Sequence, residues 1–306
     1  MNESPLVIAA GIACGLGAAF SQALSYFFSR RFLTECHTGS RMLFSISLVQ
    51  MGVVSLLALP FLLDRELPPL AEYAWPLLGV SFFFLAAQWI LFSLLKTTDS
   101  SVVAPMLGLK IPILGALSMI FFGETISGWA WLAILMCTVA AFLVSPPRGL
   151  PEIRVLLVIL GICLLYSGSD LNIPILVDRL QSASSYPALL GVSLTYVLCG
   201  GLGLLLALRQ GAFRVECGQR YAAPYSLCWL LGMCFLFVAF SLIGVIFGNM
   251  LQSSRGFIAV LVGVAVSRAG LDHIETRILP RSWLVRGLGA VLMSAAIVLY
   301  YATRLA

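Results

Sequence analysis

Charged residues are scarce in this chain of 306 amino acids. Aspartate, glutamate, lysine and arginine make up 10% of it, whereas soluble domains carry about 25%. Hydrophobic residues make up 60%, and the mean hydropathy is +1.02. A water-soluble fold could not cover its surface with so few charges. The composition therefore predicts a polytopic membrane protein.

Patterns that mark other functional classes are also missing. The two histidines, His37 and His273, are expected in loops without metal-ligand spacing, and the eight cysteines contain no CxxC pair. No Walker A pattern occurs, so ATP is not expected as the direct energy source. The net charge of +5 comes without a basic stripe, so nucleic acid is not expected as a partner. We expect no metal, no cofactor and no enzymatic activity.

We interpret ten apolar stretches as membrane spans, since about 20 apolar residues cross a bilayer; the ninth is shorter than the others. The N-terminal segment MNESPL has no basic residue, so we interpret the stretch after it as the first span rather than as a signal peptide. The expected fold is all-α with ten transmembrane helices. The spans are placed at 6–28, 42–63, 75–95, 102–122, 129–145, 155–177, 187–208, 226–246, 255–270 and 285–303.

Two pairs of similar segments recur at an offset of about 150 residues. Residues 6–24 resemble residues 155–175, and residues 75–88 resemble residues 229–241. Because both pairs follow the same order, we expect two five-span halves, residues 1–148 and 149–306. Five is an odd number, so the second half must enter the bilayer from the opposite side. Such inverted repeats are typical of secondary transporters, which bind substrate near the midplane between the halves.

The distribution of positive charges agrees with two inverted halves. Most arginines fall in the odd-numbered loops. Where a loop of one half is rich in positive residues, the corresponding loop of the other half is poor in them. The even-numbered loops and the tails hold only Arg65, Arg179, Arg255 and Arg304. Positive residues are enriched on the cytoplasmic side of membrane proteins. The count therefore predicts that both termini face away from the cytoplasm.

Residues 100–144 carry the most specific pattern in the chain. A small residue and a proline come early, Gly123-Glu124 follows the fourth span, and a tryptophan leads the fifth. In these features the chain resembles the ten-helix EamA-like branch of the drug/metabolite transporter superfamily. The resemblance implies a transporter, with a bacterial inner membrane as its location. It also implies a cavity among the first, third, fourth, sixth, eighth and ninth helices, and cytoplasmic termini, against the arginine count.

Lys110 and Asp170 are charges expected inside the bilayer. Lys110 lies about 13 Å into its span, near the middle of a ~30 Å hydrocarbon core. An isolated lysine there costs at least about 2.5–3.5 kcal/mol on insertion scales. Pro112 follows closely, and irregular backbone at depth is tolerated where it faces protein or a wet cavity. We expect Lys110 to meet Asp170 or substrate in a cavity; a snorkelling lysine, a structural ion pair and a solvated Asp170 are the alternatives.

Milder polar residues complete the candidate substrate-binding set. Tyr166 shares a helix face with Asp170, four residues away. The helices that the resemblance assigns to the cavity add Gln22, Gln88, Asn249 and Arg255. The commoner role of such amides is interhelical hydrogen bonding, and Asn249 and Arg255 are alternatively loop residues.

The expected function is secondary transport of a small metabolite or amphipathic compound, export included, by alternating access. The alternative is a lipid or lipid-linked sugar flippase of the same fold, which interfacial arginines such as Arg277, Arg281 and Arg286 would fit. The expected partners are a small-molecule substrate and membrane lipid. The GxxxG pair Gly11 and Gly15 predicts close helix contact, either within the chain or in a homodimer.

The orientation can be measured with reporters fused after Ala306. We expect a green fluorescent protein at this position to stay dark in cells and an alkaline phosphatase to be active, because the arginine count places this end outside. A bright fluorescent fusion with an inactive phosphatase fusion would show the cytoplasmic orientation that the resemblance implies.

Overall fold

The computed structural model describes residues 4–37, 39–94, 98, 103, 106–144, 152–214, 218–268 and 281–305. All regular elements in these ranges are helices, so the all-α, polytopic prediction is confirmed. Seven helices are long and apolar enough to cross a membrane. Two shorter apolar segments, Leu107–Phe122 and Gly128–Val144, accompany them.

Each of the ten predicted spans contains a helix in the described residues, and a second helix extends the ninth span at its start. The first helix continues to Cys36, beyond its predicted end, and short 3-10 turns occupy Leu107–Leu109 and Ala212–Arg214. The helices are α1 (Pro5–Cys36), α2 (Ser40–Leu62), α3 (Leu70–Leu94), α4 (Lys110–Phe122), α5 (Gly128–Val144), α6 (Ile153–Arg179), α7 (Pro187–Gln210), α8 (Gly218–Ile243), α9 (Val245–Ser253), α10 (Arg255–Arg268) and α11 (Arg281–Leu305).

The start of the ninth span differs from the sequence prediction. The predicted spans leave GNMLQSS, residues 248–254, in a loop, but residues 248–253 lie within α9, so the span begins at Val245 rather than at residue 255. The turn between α8 and α9 is made instead by Gly244, whose φ of 81° favours glycine. Gly248 resembles a turn residue but is a packing residue, because a Cβ there would lie 2.6 Å from the ring of Phe240.

The long helices pack in pairs that join the first five spans to the last five. α1 lies against α8, α3 against α6, α2 against α7 and α5 against α11. In two similar halves, the first span corresponds to the sixth and the third to the eighth. The pair α1–α8 would then be equivalent to the pair α3–α6. The fourth and ninth spans fit the same relation, since α4 packs on α6 and α10 packs on α1. An inverted repeat would produce this arrangement; the division after residue 148 stays a prediction.

Glycines allow the closest helix crossings. A Cβ added to Gly52 on α2 would lie 2.7 Å from the Cα of Gly200 on α7, and the reverse distance is the same. Small residues permit this approach in membranes, where close van der Waals packing holds helices together. Gly11 and Gly15 also face neighbours within the chain, on α8 and α9. The GxxxG pair therefore serves internal packing.

The α2–α7 crossing provides a test of the packing with a control one residue away. We expect Gly200→Ala to lower the free energy of unfolding by about 1–3 kcal/mol, since the new methyl group meets backbone that cannot move aside. Gly201→Ala is the control, because a Cβ there has no atom within 4 Å. Thermal unfolding of the detergent-solubilised variants measures the difference; equal melting temperatures would contradict the crossing.

Candidate functional site

An ion pair joins the fourth and sixth spans inside the membrane. The Nζ of Lys110, at the start of α4, lies 2.5 Å from Oδ2 of Asp170 on α6. The two side chains are 12% and 7% exposed. Asp170 precedes the end of α6 by nine residues, or about 13 Å along the helix. The lysine is therefore paired at depth and shielded from lipid.

The backbone before Lys110 departs from α-helical geometry for a local reason. Pro112 has no amide hydrogen, so the carbonyl of Gly108, four residues earlier, lacks its usual α-helical donor. A 3-10 turn forms at Leu107–Leu109 instead, and the Lys110 N–H donates to the carbonyls of this turn. Across the interface, the Ser167 hydroxyl on α6 donates to the Lys110 carbonyl at 3.4 Å. Both the backbone and the side chain of Lys110 thus contact α6.

Two further side chains surround the ion pair. Asn249 on α9 donates from Nδ2 to Oδ2 of Asp170 at 2.8 Å and to the carbonyl of Val245 at 3.0 Å. The ring of Tyr166, one turn before Asp170, has its centroid 5.7 Å from the Lys110 ammonium, within cation–π range. The charge pair is therefore contacted from the fourth, sixth and ninth spans.

A second polar cluster lies between α1 and the break in the ninth span. Oε1 of Gln22 accepts hydrogen bonds from Nε2 of Gln252 and Nη1 of Arg255, each at 3.0 Å. Sequence reasoning missed Gln252, because it was assigned to a loop. Its signal was spacing: Asn249, Gln252 and Arg255 are three residues apart, which places them on one side of a helix.

The two clusters are neighbours in one polar region. Asn249 belongs to the first cluster and Gln252 to the second, and the two residues are three positions apart on α9. Residues at this spacing lie on the same face of a helix. Side chains from the first, fourth, sixth and ninth spans therefore converge. Among the residues that the structure describes, no group of histidines, cysteines and acids could hold a metal ion.

The structure brings together most of the residues proposed from sequence. Gln88 is the exception: it is buried on α3, and the hydrogen bonds of the described residues do not join it to either cluster. Asn249 and Arg255 are not loop residues, because both lie in helices. That these residues bind substrate stays a prediction. The six that converge are Gln22, Lys110, Tyr166, Asp170, Asn249 and Arg255.

Removing the carboxylate tests how much the ion pair stabilises the fold. We expect Asp170→Ala to lower the free energy of unfolding by about 3–5 kcal/mol, because Lys110 is left buried without its partner. The double variant Lys110→Ala/Asp170→Ala removes both charges and should recover part of this loss. Thermal unfolding in detergent measures both. If each variant stays within about 1 kcal/mol of the wild type, the pair behaves like an exposed salt bridge and the burial argument is wrong.

Comparison with known proteins agrees with this architecture. Residues 9–145 match the model of the EamA-like transporter family. The whole chain is similar to a protein of known crystal structure, with a TM-score of 0.70 and 12% sequence identity over 97% of this chain and 98% of that one; at this identity the likeness shows the fold alone. No curated protein matches the sequence significantly. The resemblance expected from residues 100–144 is confirmed, and it extends over residues 9–145, which are similar to the EamA-like transporter family.

Proposed function

We propose that the chain is a secondary transporter that moves a small metabolite or amphipathic compound by alternating access. The match of residues 9–145 to a transporter family supports a membrane transporter of the drug/metabolite type. The observation that carries the finer proposal is the ion pair between Lys110 and Asp170, which joins the fourth and sixth spans at depth. Inverted-repeat transporters bind substrate in this place, near the midplane and between the halves.

Two of the helical spans around the ion pair are interrupted, which is typical of a binding site whose contacts change during transport. A 3-10 turn precedes α4, and the ninth span divides into α9 and α10 at Ser254. Discontinuous helices of this kind commonly form the binding sites of transporters. A substrate that enters beside Lys110 would alter its contact with Asp170, and thereby the contact between α4 and α6. Different contacts in two conformations are what a ligand needs to shift their populations.

The seven long apolar helices and the family match over residues 9–145 support a multi-pass location in a membrane. Within this proposal the membrane is a bacterial inner membrane, where the arginine asymmetry of the loops would set the orientation.

A lipid flippase of the same fold is the second candidate, and an open cavity of about 560 Å³ favours it. Arg41, Trp89 and Arg209 are among its lining residues, from the start of α2 and the later parts of α3 and α7. The Arg41 guanidinium lies 4.6 Å from the Trp89 ring centroid. Arginine and tryptophan near helix ends are typical of the headgroup level of a bilayer. Of the interfacial arginines named from sequence, Arg277 lies outside the described residues.

The proposal is tested by comparing metabolites in cells that produce the wild type or Lys110→Ala at equal amounts of folded protein. We expect the wild type to change the distribution of at least one small metabolite between cells and medium. Lys110→Ala should reduce that change by about tenfold or more, since a hydrogen bond to a charged group contributes about 1.5–3 kcal/mol. Arg31→Gln is the control, because Arg31 lies over Tyr221 at the end of α1, away from the site.

Identical metabolite profiles for the wild type and Lys110→Ala would contradict the proposal. A parallel assay in proteoliposomes follows a fluorescent phosphatidylglycerol by dithionite quenching. Lipid movement that survives Lys110→Ala but is lost in Arg41→Ala would favour the flippase instead.

A further inference from the structure

We infer that the substrate carries a net negative charge, on a carboxylate, sulfonate or phosphate group that binds between Lys110 and Arg255. The inference rests on the proposed function and names its substrate class. It starts from the charges that converge in the polar region, which are two cations and one acid, Asp170.

Asp170 is already paired with Lys110, one of the two cations. Oδ2 of Asp170 contacts Lys110 Nζ at 2.5 Å and accepts from Asn249 at 2.8 Å. Arg255 donates to a neutral acceptor, the amide oxygen of Gln22. Among the described residues, the other acidic side chains lie at helix ends or in connecting segments: Glu35, Asp64, Glu66, Glu72, Glu124, Glu152 and Asp178. In this part of the chain, the polar region therefore carries one uncompensated positive charge.

The position of Arg255 makes that charge difficult to leave unpaired. Arg255 follows the start of the ninth span, Val245, by ten residues, or about 15 Å. That depth is close to the middle of a ~30 Å hydrocarbon core. Charged side chains at such depth pair with other groups or line a substrate path. A guanidinium offers a fork of N–H donors that matches the two oxygens of a carboxylate or phosphate.

The ninth span brings the two cations into one region. Asn249, which donates to the partner of Lys110, precedes Arg255 by six residues, or about 9 Å along the span. The Tyr166 ring lies beside the Lys110 ammonium, and Tyr26, which is 37% exposed, lies one turn after Gln22 on α1. These rings offer apolar surface for the body of the molecule. The site thus fits an amphipathic anion.

An anion at this place would also change the contact between spans. Lys110 would share its charge between the ligand and Asp170, which weakens the existing ion pair. Because Asp170 also accepts from Asn249, the rearrangement reaches α9 as well as α4. The substrate would therefore bias the same contacts that the proposed alternating-access change requires.

The first test uses the charge of the metabolites themselves. Cells that produce the wild type are compared with cells that produce Lys110→Ala, and each metabolite whose distribution differs is assigned its net charge at neutral pH. We expect these metabolites to be anionic. If none differs, the proposed function fails and this inference with it. If those that differ are neutral or cationic, the transporter stands and the inference is overturned.

The second test changes the charge at Arg255 and beside it. We expect Arg255→Gln to reduce the wild-type effect on anionic metabolites by about 10- to 100-fold, the range for a hydrogen bond to a charged group. Arg255→Lys keeps the charge and should retain more of the effect, and Arg31→Gln should retain all of it. Gln252→Glu places a carboxylate three residues from Arg255 and should abolish anion transport by neutralising the arginine within the protein.

Each variant is compared at equal amounts of folded protein, measured by size-exclusion chromatography of a fluorescent fusion. Anion transport that persists in both Arg255→Gln and Gln252→Glu would overturn the role of Arg255. Loss of anion transport in both variants, with transport retained in Arg255→Lys, would support the inference. If the arginine had a purely structural role, transport would not depend on whether a positive charge is present at this position.

Discussion

A single charge at mid-depth, the ammonium of Lys110, constrains the helices around it. Removing water from each member of an ion pair costs several kcal/mol, which the protein must offset through geometry and further hydrogen bonds. Asp170 and Tyr166 on α6 and Asn249 on α9 supply these contacts. Helices from both parts of the chain must therefore meet at one point. Any arrangement that separates them leaves a lysine in hydrocarbon without a counter-charge.

The features that the bilayer itself dictates could be predicted from sequence. Backbone polar groups in hydrocarbon must be satisfied within the chain, so long apolar runs form helices whatever their side chains. The partner of Lys110 was also predictable, because Asp170 was the acidic residue that fell inside an expected span. The proline two residues after the lysine indicated irregular backbone, which the 3-10 turn at Leu107–Leu109 confirms.

The ninth span could not be placed in the same way. Its first half contains glycine, asparagine, glutamine and serine, which resemble a loop when they are considered locally. Asn249 and Gln252 are tolerated in a buried helix because their amides bond to Asp170 and Gln22, which are 79 and 230 residues away in sequence. A local pattern contains no information about such distant partners. Gln88 is the opposite case: its helix was a reasonable choice for the cavity, but the hydrogen bonds of the described residues do not join its buried side chain to either cluster.

The contact between Gly52 and Gly200 has a mechanical consequence. At this crossing α2 and α7 meet backbone to backbone, and the second and seventh spans are counterparts in the two proposed halves. If the halves are related by a pseudo-twofold axis, such a pair of counterparts would lie on that axis. Glycine has no side chain, so no rotamers need to rearrange when the crossing angle of the two helices changes. In the proposed alternating access, the crossing would be the point about which the halves tilt, and the displacement would grow toward the two membrane faces.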